Sequence, residues 1–149
     1  MFVSSVAFGA DRAGSLTYDL GASSGKAGDG TYTEAQLGLN WYAQNWLAWR
    51  NALFGRFQTD VDTAYGLDTS LRLIGDLGAE RFGVTAFVAP GYRVASGTDS
   101  APFTEEGVLL HLGGLTIGGG AKQIYDSWIH SGEGNDNQYF LILGGGGVL

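Results

Sequence analysis

The chain has no cysteine, which rules out a disulfide framework and a thiolate metal site. Proline is scarce, with two among 149 residues, and charged residues are 15% of the chain. An average soluble protein carries roughly 25%. No apolar run reaches about 18 residues, so no transmembrane helix is expected. The longest candidate, Gly107–Ala121, is interrupted by His111 and several glycines. Basic residues are few as well. Eight Lys and Arg against fifteen Asp and Glu leave a formal charge of −7, which argues against a nucleic-acid partner. Disorder is also excluded, because 44% hydrophobic and 13% aromatic residues are too many for a chain that stays unfolded.

Glycine is plentiful, at 26 residues, and so is alternation with a period of two. In Thr31–Trp41 and Trp46–Gln58 one parity carries Leu, Trp and Phe, and the other carries Arg, Gln, Asn and Glu. Such alternation means strands with two unlike faces. Eight strands are expected, at Ser15–Ser23, Tyr32–Tyr42, Leu47–Gln58, Ala64–Leu77, Phe82–Ala95, Glu105–Leu112, Leu115–Asp126 and Gln138–Val148. Polar loops follow the odd-numbered strands (Ser24–Gly30, Thr59–Thr63, Ser96–Thr104, Ser127–Asn137) and tight links follow the even-numbered ones. The length gives one domain, over 15–149. Residues 1–14 read as a periplasmic segment or as a signal or tag remnant. Met1–Ala10 is similar to the end of a secretory signal, with Ser5-Val6-Ala7 as the small-residue cleavage region, but has no basic n-region.

An even strand count, strands of about ten residues and loops that are long at one end only are what a membrane barrel requires. The expected fold is therefore all-β, a closed eight-stranded antiparallel up-and-down transmembrane β-barrel. The aromatics decide which face looks outward. Within the apolar parity Phe57, Tyr65, Tyr92, Tyr125 and Tyr139 fall near the long-loop ends, and Tyr18, Trp41, Trp49 and Phe82 near the tight-turn ends. Two aromatic girdles around an aliphatic band suit a lipid-facing surface. A soluble ligand-binding barrel, which would bury this parity, has no reason to sort its aromatics to the two rims. Asn51 and Thr69 are the misfits on this face.

The other parity then faces the lumen. It carries a charge network of Asp19, Glu34, Arg50, Arg56, Asp68, Arg72, Arg93, Lys122 and Asp126. Buried charges must be paired to offset their desolvation. Phe54, Phe87, Leu109, Ile124, Phe140 and Ile142 share this parity and depart from a purely polar interior. Eight acids (Asp29, Asp60, Asp62, Asp99, Glu105, Glu106, Glu133, Asp136) and Lys26 are assigned to the long loops, which then hold the whole net charge.

Strand count, loop asymmetry, girdles and the closing stretch NQYFLILGGGGVL resemble the small eight-stranded outer-membrane barrels of the OmpA/OmpX type over about Ser15 to Leu149. Such barrels commonly end in an aromatic residue, whereas this sequence ends Val148-Leu149. The resemblance implies a bacterial outer-membrane location, a monomer, and the lipid bilayer with lipopolysaccharide as surroundings. It names no extracellular partner.

Chemistry-bearing motifs are sparse. Gly118–Gly120 and Gly144–Gly147 lack the Gly-Lys-Ser/Thr of a phosphate loop. They are read as space-makers, with the apolar stretch Phe2–Phe8 as one candidate to fill that space. His130, with Ser127, Ser131 and Glu133, lies in the fourth loop and invites comparison with outer-leaflet lipid-modifying enzymes. Solvated loop residues are the alternative. His111 is expected to be hydrogen-bonded rather than metal-bound, and no metal or cofactor site is expected. The expected role is structural, or a surface-interaction scaffold with a plugged lumen and acidic extracellular loops. A narrow gated channel for small solutes is the runner-up, and no enzyme activity is expected.

Overall fold

The computed structural model describes residues 12–27, 30–58, 63–78, 82–96, 100–113, 115–125 and 136–145. These residues form eight strands and no helix: β1 (Leu16–Ala27), β2 (Gly30–Gln44), β3 (Leu47–Phe57), β4 (Ala64–Gly78), β5 (Phe82–Ala95), β6 (Ala101–Leu112), β7 (Leu115–Ile124) and β8 (Asp136–Gly145). Each strand pairs antiparallel with the next. β8 returns to β1, with Tyr18 opposite Gly145 at one end and Gly25 opposite Gln138 at the other. The sheet is thereby a closed barrel. Closure removes the free edge that would otherwise expose unpaired N–H and C=O groups.

Three of the expected loops are shorter than their composition suggests. The Ser24–Gly30 stretch is not a long loop, because β1 continues to Ala27 and β2 starts at Gly30, opposite it. Gly, Ser and Lys give that stretch a loop-like composition, yet its pairing simply continues to Ala27 opposite Gly30. Likewise β6 begins at Ala101, so Glu105 and Glu106 are strand residues. Asp136 opens β8. The loops therefore hold fewer of the acids than the sequence suggested. The connections after β3, β5 and β7 remain longer than those after β2, β4 and β6. At the short ends Gly78 (φ 106°) and Gly113 (φ 67°) adopt the left-handed backbone that tight turns need.

The β2–β3 register shifts between Tyr42 and Gln44, and the β4–β5 ladder is interrupted. Between β4 and β5 the pairing passes from Ser70↔Gly91 to Leu73↔Val88, skipping Leu71 and Arg72 opposite Pro90 and Ala89. Proline has no N–H to give, and in a closed barrel it has no edge to occupy. The register is unchanged across the gap, so the strands on either side hold it.

Burial alternates along the strands, as in β5, where Thr85, Phe87, Ala89 and Arg93 are buried and their neighbours are exposed. On β4 to β7 the inward residues are stacked by type. From the long-loop end toward the short-turn end, β4 offers Arg72, Ile74 and Asp76, and β6 offers Glu105, Leu109 and His111. Ile74, Phe87, Ala89, Leu109, Phe140 and Ile142 pack together as an apolar layer. Charged groups lie on one side of that layer, and a polar group around His111 lies on the other.

Candidate functional site

The charged interior forms one alternating chain. Arg56 Nε reaches Glu34 Oε2 at 2.8 Å, and Arg93 Nη1 meets the same oxygen at 2.8 Å. Arg93 Nε continues to Asp68 at 2.7 Å. Lys122 Nζ bridges Asp68 at 2.8 Å and Glu105 at 3.2 Å. Arg72 joins Glu105 at 2.7 Å and Asp19 at 3.9 Å. Arg50 closes the series on Asp19 at 2.6 Å. Each carboxylate in this series lies between two cations. Seven of the eight strands contribute to it, since Asp19 is on β1, Glu34 on β2, Arg50 and Arg56 on β3, Asp68 and Arg72 on β4, Arg93 on β5, Glu105 on β6 and Lys122 on β7, leaving β8 to add Gln138, which donates to Glu34 at 3.2 Å.

Arg93 is the central member. Its guanidinium forks onto both oxygens of Glu34 (2.8 and 2.9 Å) and both oxygens of Asp68 (2.7 and 2.7 Å). Planar bidentate pairing of this kind is what arginine offers over lysine. The residue is 1% exposed. At the other end of the series Asn40 Nδ2 donates to Asp19 at 2.8 Å.

Phe54 and Phe87, two of the inward aromatics that depart from a polar interior, lie under cations, and so do the inward Tyr32 and Phe103. Arg93 sits 3.8 Å from the Phe54 ring centroid, Arg56 3.9 Å from Tyr32 and Arg72 4.3 Å from Phe87. Lys122 Nζ is 4.6 Å from Phe103. A desolvated cation over a ring face gains about 2 kcal/mol, so these rings supply part of what water would have supplied. Space comes from glycine. A Cβ at Gly38 would stand 2.6 Å from Asp19 Oδ1 and 2.7 Å from Arg50 Nη2. Gly38→Ala is therefore expected to lower stability by about 1–3 kcal/mol, through overpacking, as read from the urea midpoint of unfolding. Near the apolar layer, the seats at Gly107, Gly118 and Gly120 are taken by Phe87, Leu109 and Phe140. The stretch Phe2–Phe8, expected to fill that sector, lies outside the described residues.

The outward face is apolar. Leu20, Leu37, Leu53, Leu71, Leu141 and Leu143 are exposed between two sets of exposed aromatics. Tyr18, Trp41, Trp49 and Phe82 stand toward the short-turn end, and Phe57, Tyr65, Tyr92 and Tyr139 toward the other. Tyr125 is half-buried just beyond β7, and its hydroxyl donates to Thr104 Oγ1 at 3.3 Å. The two misfits meet each other, since Asn51 is the register partner of Thr69. The Trp49 indole N–H also donates to Thr69 Oγ1, at 2.8 Å. The corrected β6 adds a charged residue to this face. Glu106 faces out and is exposed, while its neighbour Glu105 is 2% exposed and faces in.

Of the residues singled out from the sequence, Asp126 and the fourth-loop group Ser127, His130, Ser131 and Glu133 lie outside the described residues. Glu105 was missed as a member of the interior chain, although its parity matches Leu109 and His111 on the same strand. Asp76 and Arg12, which pair at 3.4 Å, were missed as well. His111 is hydrogen-bonded, to Thr85 at 2.7 Å and Thr116 at 3.1 Å. Among the described residues no group of three His or carboxylate side chains is arranged to hold a metal ion. No protein-family model matches the chain, and no curated protein is similar enough to count as a relative.

Proposed function

We propose that the chain is an integral β-barrel of the bacterial outer membrane, similar in kind to the OmpA/OmpX barrels. It is a monomer surrounded by lipid and lipopolysaccharide, with a side-chain plug in its lumen. Its role is structural, or that of a scaffold displaying acidic loops at the cell surface. The observation that carries this reading is the inverted polarity of the barrel. The largest fully buried side chains include Arg50, Arg93, Lys122, Glu34 and Asp68, while leucines, valines and aromatics are exposed. In water this outer surface would cost about 25 cal/mol for each Å² of apolar area, and patches beyond a few hundred Å² are rare on soluble monomers. In a bilayer the same surface is solvated by acyl chains, and the bond from Trp49 to Thr69 satisfies the indole N–H that lipid cannot.

The plug follows from the ion chain and the apolar layer together. An eight-stranded barrel is only just wide enough for side chains to fill, and here ion pairs fill one part and Phe87, Leu109, Phe140 and Ile142 another. A diffusing solute would have to separate buried ion pairs and then cross the apolar layer.

Tryptophan fluorescence tests the reading. Trp41, Trp46 and Trp49 are all exposed toward the short-turn end, so in a Trp128→Phe variant reconstituted in vesicles, lipids brominated near the headgroup should quench emission more than lipids brominated at the chain end. Solubility as a monomer without detergent, with no quenching by either lipid, would overturn the membrane assignment. Planar bilayers should show no unitary current. Discrete conductance steps would replace the plug by a narrow gated channel.

A further inference from the structure

Glu106 stands alone on the outer wall. Among the described side chains it is the only charged one exposed on the outward face of the strands. It makes no hydrogen bond or ion pair with another described residue. The misfits Asn51 and Thr69 differ, since they are register partners and Thr69 accepts from the Trp49 indole. The register also sets the height of Glu106. One line of partners starts at Leu47 on β3, next to Trp49 of the short-turn girdle. It passes through Leu73, Val88, Glu106, Ala121 and Tyr139. It then returns through β1 and β2 to Phe57 of the long-loop girdle, again on β3. Strands tilt in a closed barrel, so such a line climbs steadily. One circuit therefore leads from one girdle to the other, and Glu106 lies near the middle of the climb.

The surface around the carboxylate is low. Gly119 and Ala121 of β7 form a floor beside it, with Val88 and Val108 as its other apolar neighbours. Beyond the floor Tyr139 and Leu141 of β8 are 73% and 72% exposed and stand up as a wall. A Cβ at Gly119 would meet Leu141 Cδ2 at 3.2 Å, so that side chain lies close over the glycine. Glu106 thus opens onto a shallow furrow along β6 and β7. Small residues let one backbone approach another closely within a membrane. An ionisable side chain at membrane depth is costly and points to a function, with a partner that neutralises it.

We propose that this furrow is the docking surface for an apolar membrane-crossing segment of another protein, one that carries a Lys or Arg near its midpoint. The inference rests on the membrane reading above and adds a partner to it. A cation at the same depth satisfies Glu106, which acyl chains cannot do. Lipid headgroups lie outside the aliphatic band and do not reach it. A second copy of this chain has no cation to offer among the described residues. Arg50, Arg56, Arg72, Arg93 and Lys122 face inward, and Arg12 pairs with Asp76 at the short-turn end. In bare lipid the carboxylate lowers stability, and a docked cation offsets that loss.

The chain has no cysteine, so a donor dye at Leu115→Cys, exposed at the short-turn end of β7, labels the full-length barrel at one place. The probe is a synthetic single-span peptide of Leu and Ala with one central Lys and an acceptor dye. Both are reconstituted in phosphatidylcholine vesicles, and energy transfer reads their association. The peptide should bind the parent barrel about tenfold more tightly than Glu106→Gln, the scale of one polar contact between membrane segments. A central-Leu peptide should bind both barrels equally weakly. Glu106→Lys should reverse the preference, taking a central-Glu peptide over the central-Lys one. Equal binding of the Lys and Leu peptides by the parent would overturn the inference, leaving Glu106 neutral in lipid. A Lys preference that persists in Glu106→Gln would put the site elsewhere and overturn it too. Quenching of tryptophan emission by brominated lipids in the same vesicles reports insertion. With quenching, either failure concerns the docking alone; without it, the membrane reading falls and the docking with it.

Discussion

Replacing Arg93 by alanine is expected to destabilise the barrel by about 3–5 kcal/mol, the range for breaking a buried ion pair from one side. Arg93 is the reason that Glu34 and Asp68 can be ionised in the interior, since its guanidinium makes four hydrogen bonds to them. Without it Glu34 keeps Arg56 and Gln138, and Asp68 keeps Lys122. Neither retains a bidentate partner, and Phe54 loses the cation lying on its ring. Equilibrium unfolding in urea, followed by far-ultraviolet circular dichroism in the same detergent for each variant, measures the loss. The comparison that separates charge from packing is the triple variant Arg93→Met, Glu34→Gln, Asp68→Asn. It removes the cation together with both anions, and buried ion pairs replaced as a unit often cost little. Most of the lost stability should return. A single variant within about 0.5 kcal/mol of the parent, the range of an ordinary surface change, would mean that the interior is hydrated well enough to screen these charges.

Much of this architecture is legible because a strand reports its two faces directly in its sequence. The pattern places a strand at Phe82–Ala95, the bounds it has in the structure, since Val84, Ala86 and Val88 alternate with Thr85, Phe87 and Ala89 between clear turn signals. Reading failed where composition and pairing disagree. Ser24-Gly25-Lys26-Ala27 looks like a loop by residue type but is held in the ladder by Thr33, Tyr32, Thr31 and Gly30 across from it. The contents of the interior were legible as types but not as partners. Arg93 and Glu34 are 59 positions apart, and only the register of a closed barrel brings them together. The same holds for Phe54 and Phe87, which look like exceptions until a guanidinium is found above each ring. Asn51 and Thr69 look like two separate misfits until the register sets them opposite one another. Hydropathy is a property of one residue, whereas each of these arrangements belongs to a pair.

Glu105 and Glu106 give the sharpest contrast between adjacent residues of one type, and Glu105→Gln is expected to be the costly change. Its carboxylate lies between Arg72 Nη2 at 2.7 Å and Lys122 Nζ at 3.2 Å. An amide offers one acceptor oxygen and no charge, so two buried cations lose their shared anion. Arg72 is the less secure of the two. Its Nε already has no hydrogen-bond partner, its remaining carboxylate contact is the 3.9 Å approach to Asp19, and the strand pairing beside it is interrupted opposite Pro90. The expected loss is about 3–5 kcal/mol. Glu106 points out, with Val88 and Ala121 as its register partners. Glu106→Gln should change stability by no more than about 0.5 kcal/mol, the range of an ordinary surface change. In lipid, Glu106→Leu should stabilise the barrel, because it removes a carboxylate from an apolar surface, where a charge is penalised according to its depth. Urea titrations of the three variants in lipid vesicles measure all of these changes. Equal losses for Glu105→Gln and Glu106→Gln would contradict the inward and outward assignment of β6. A stabilising Glu105→Gln would contradict the ion chain itself. A destabilising Glu106→Leu would instead locate the conflict on the outer face, since a surface that prefers a carboxylate to leucine is one in contact with water.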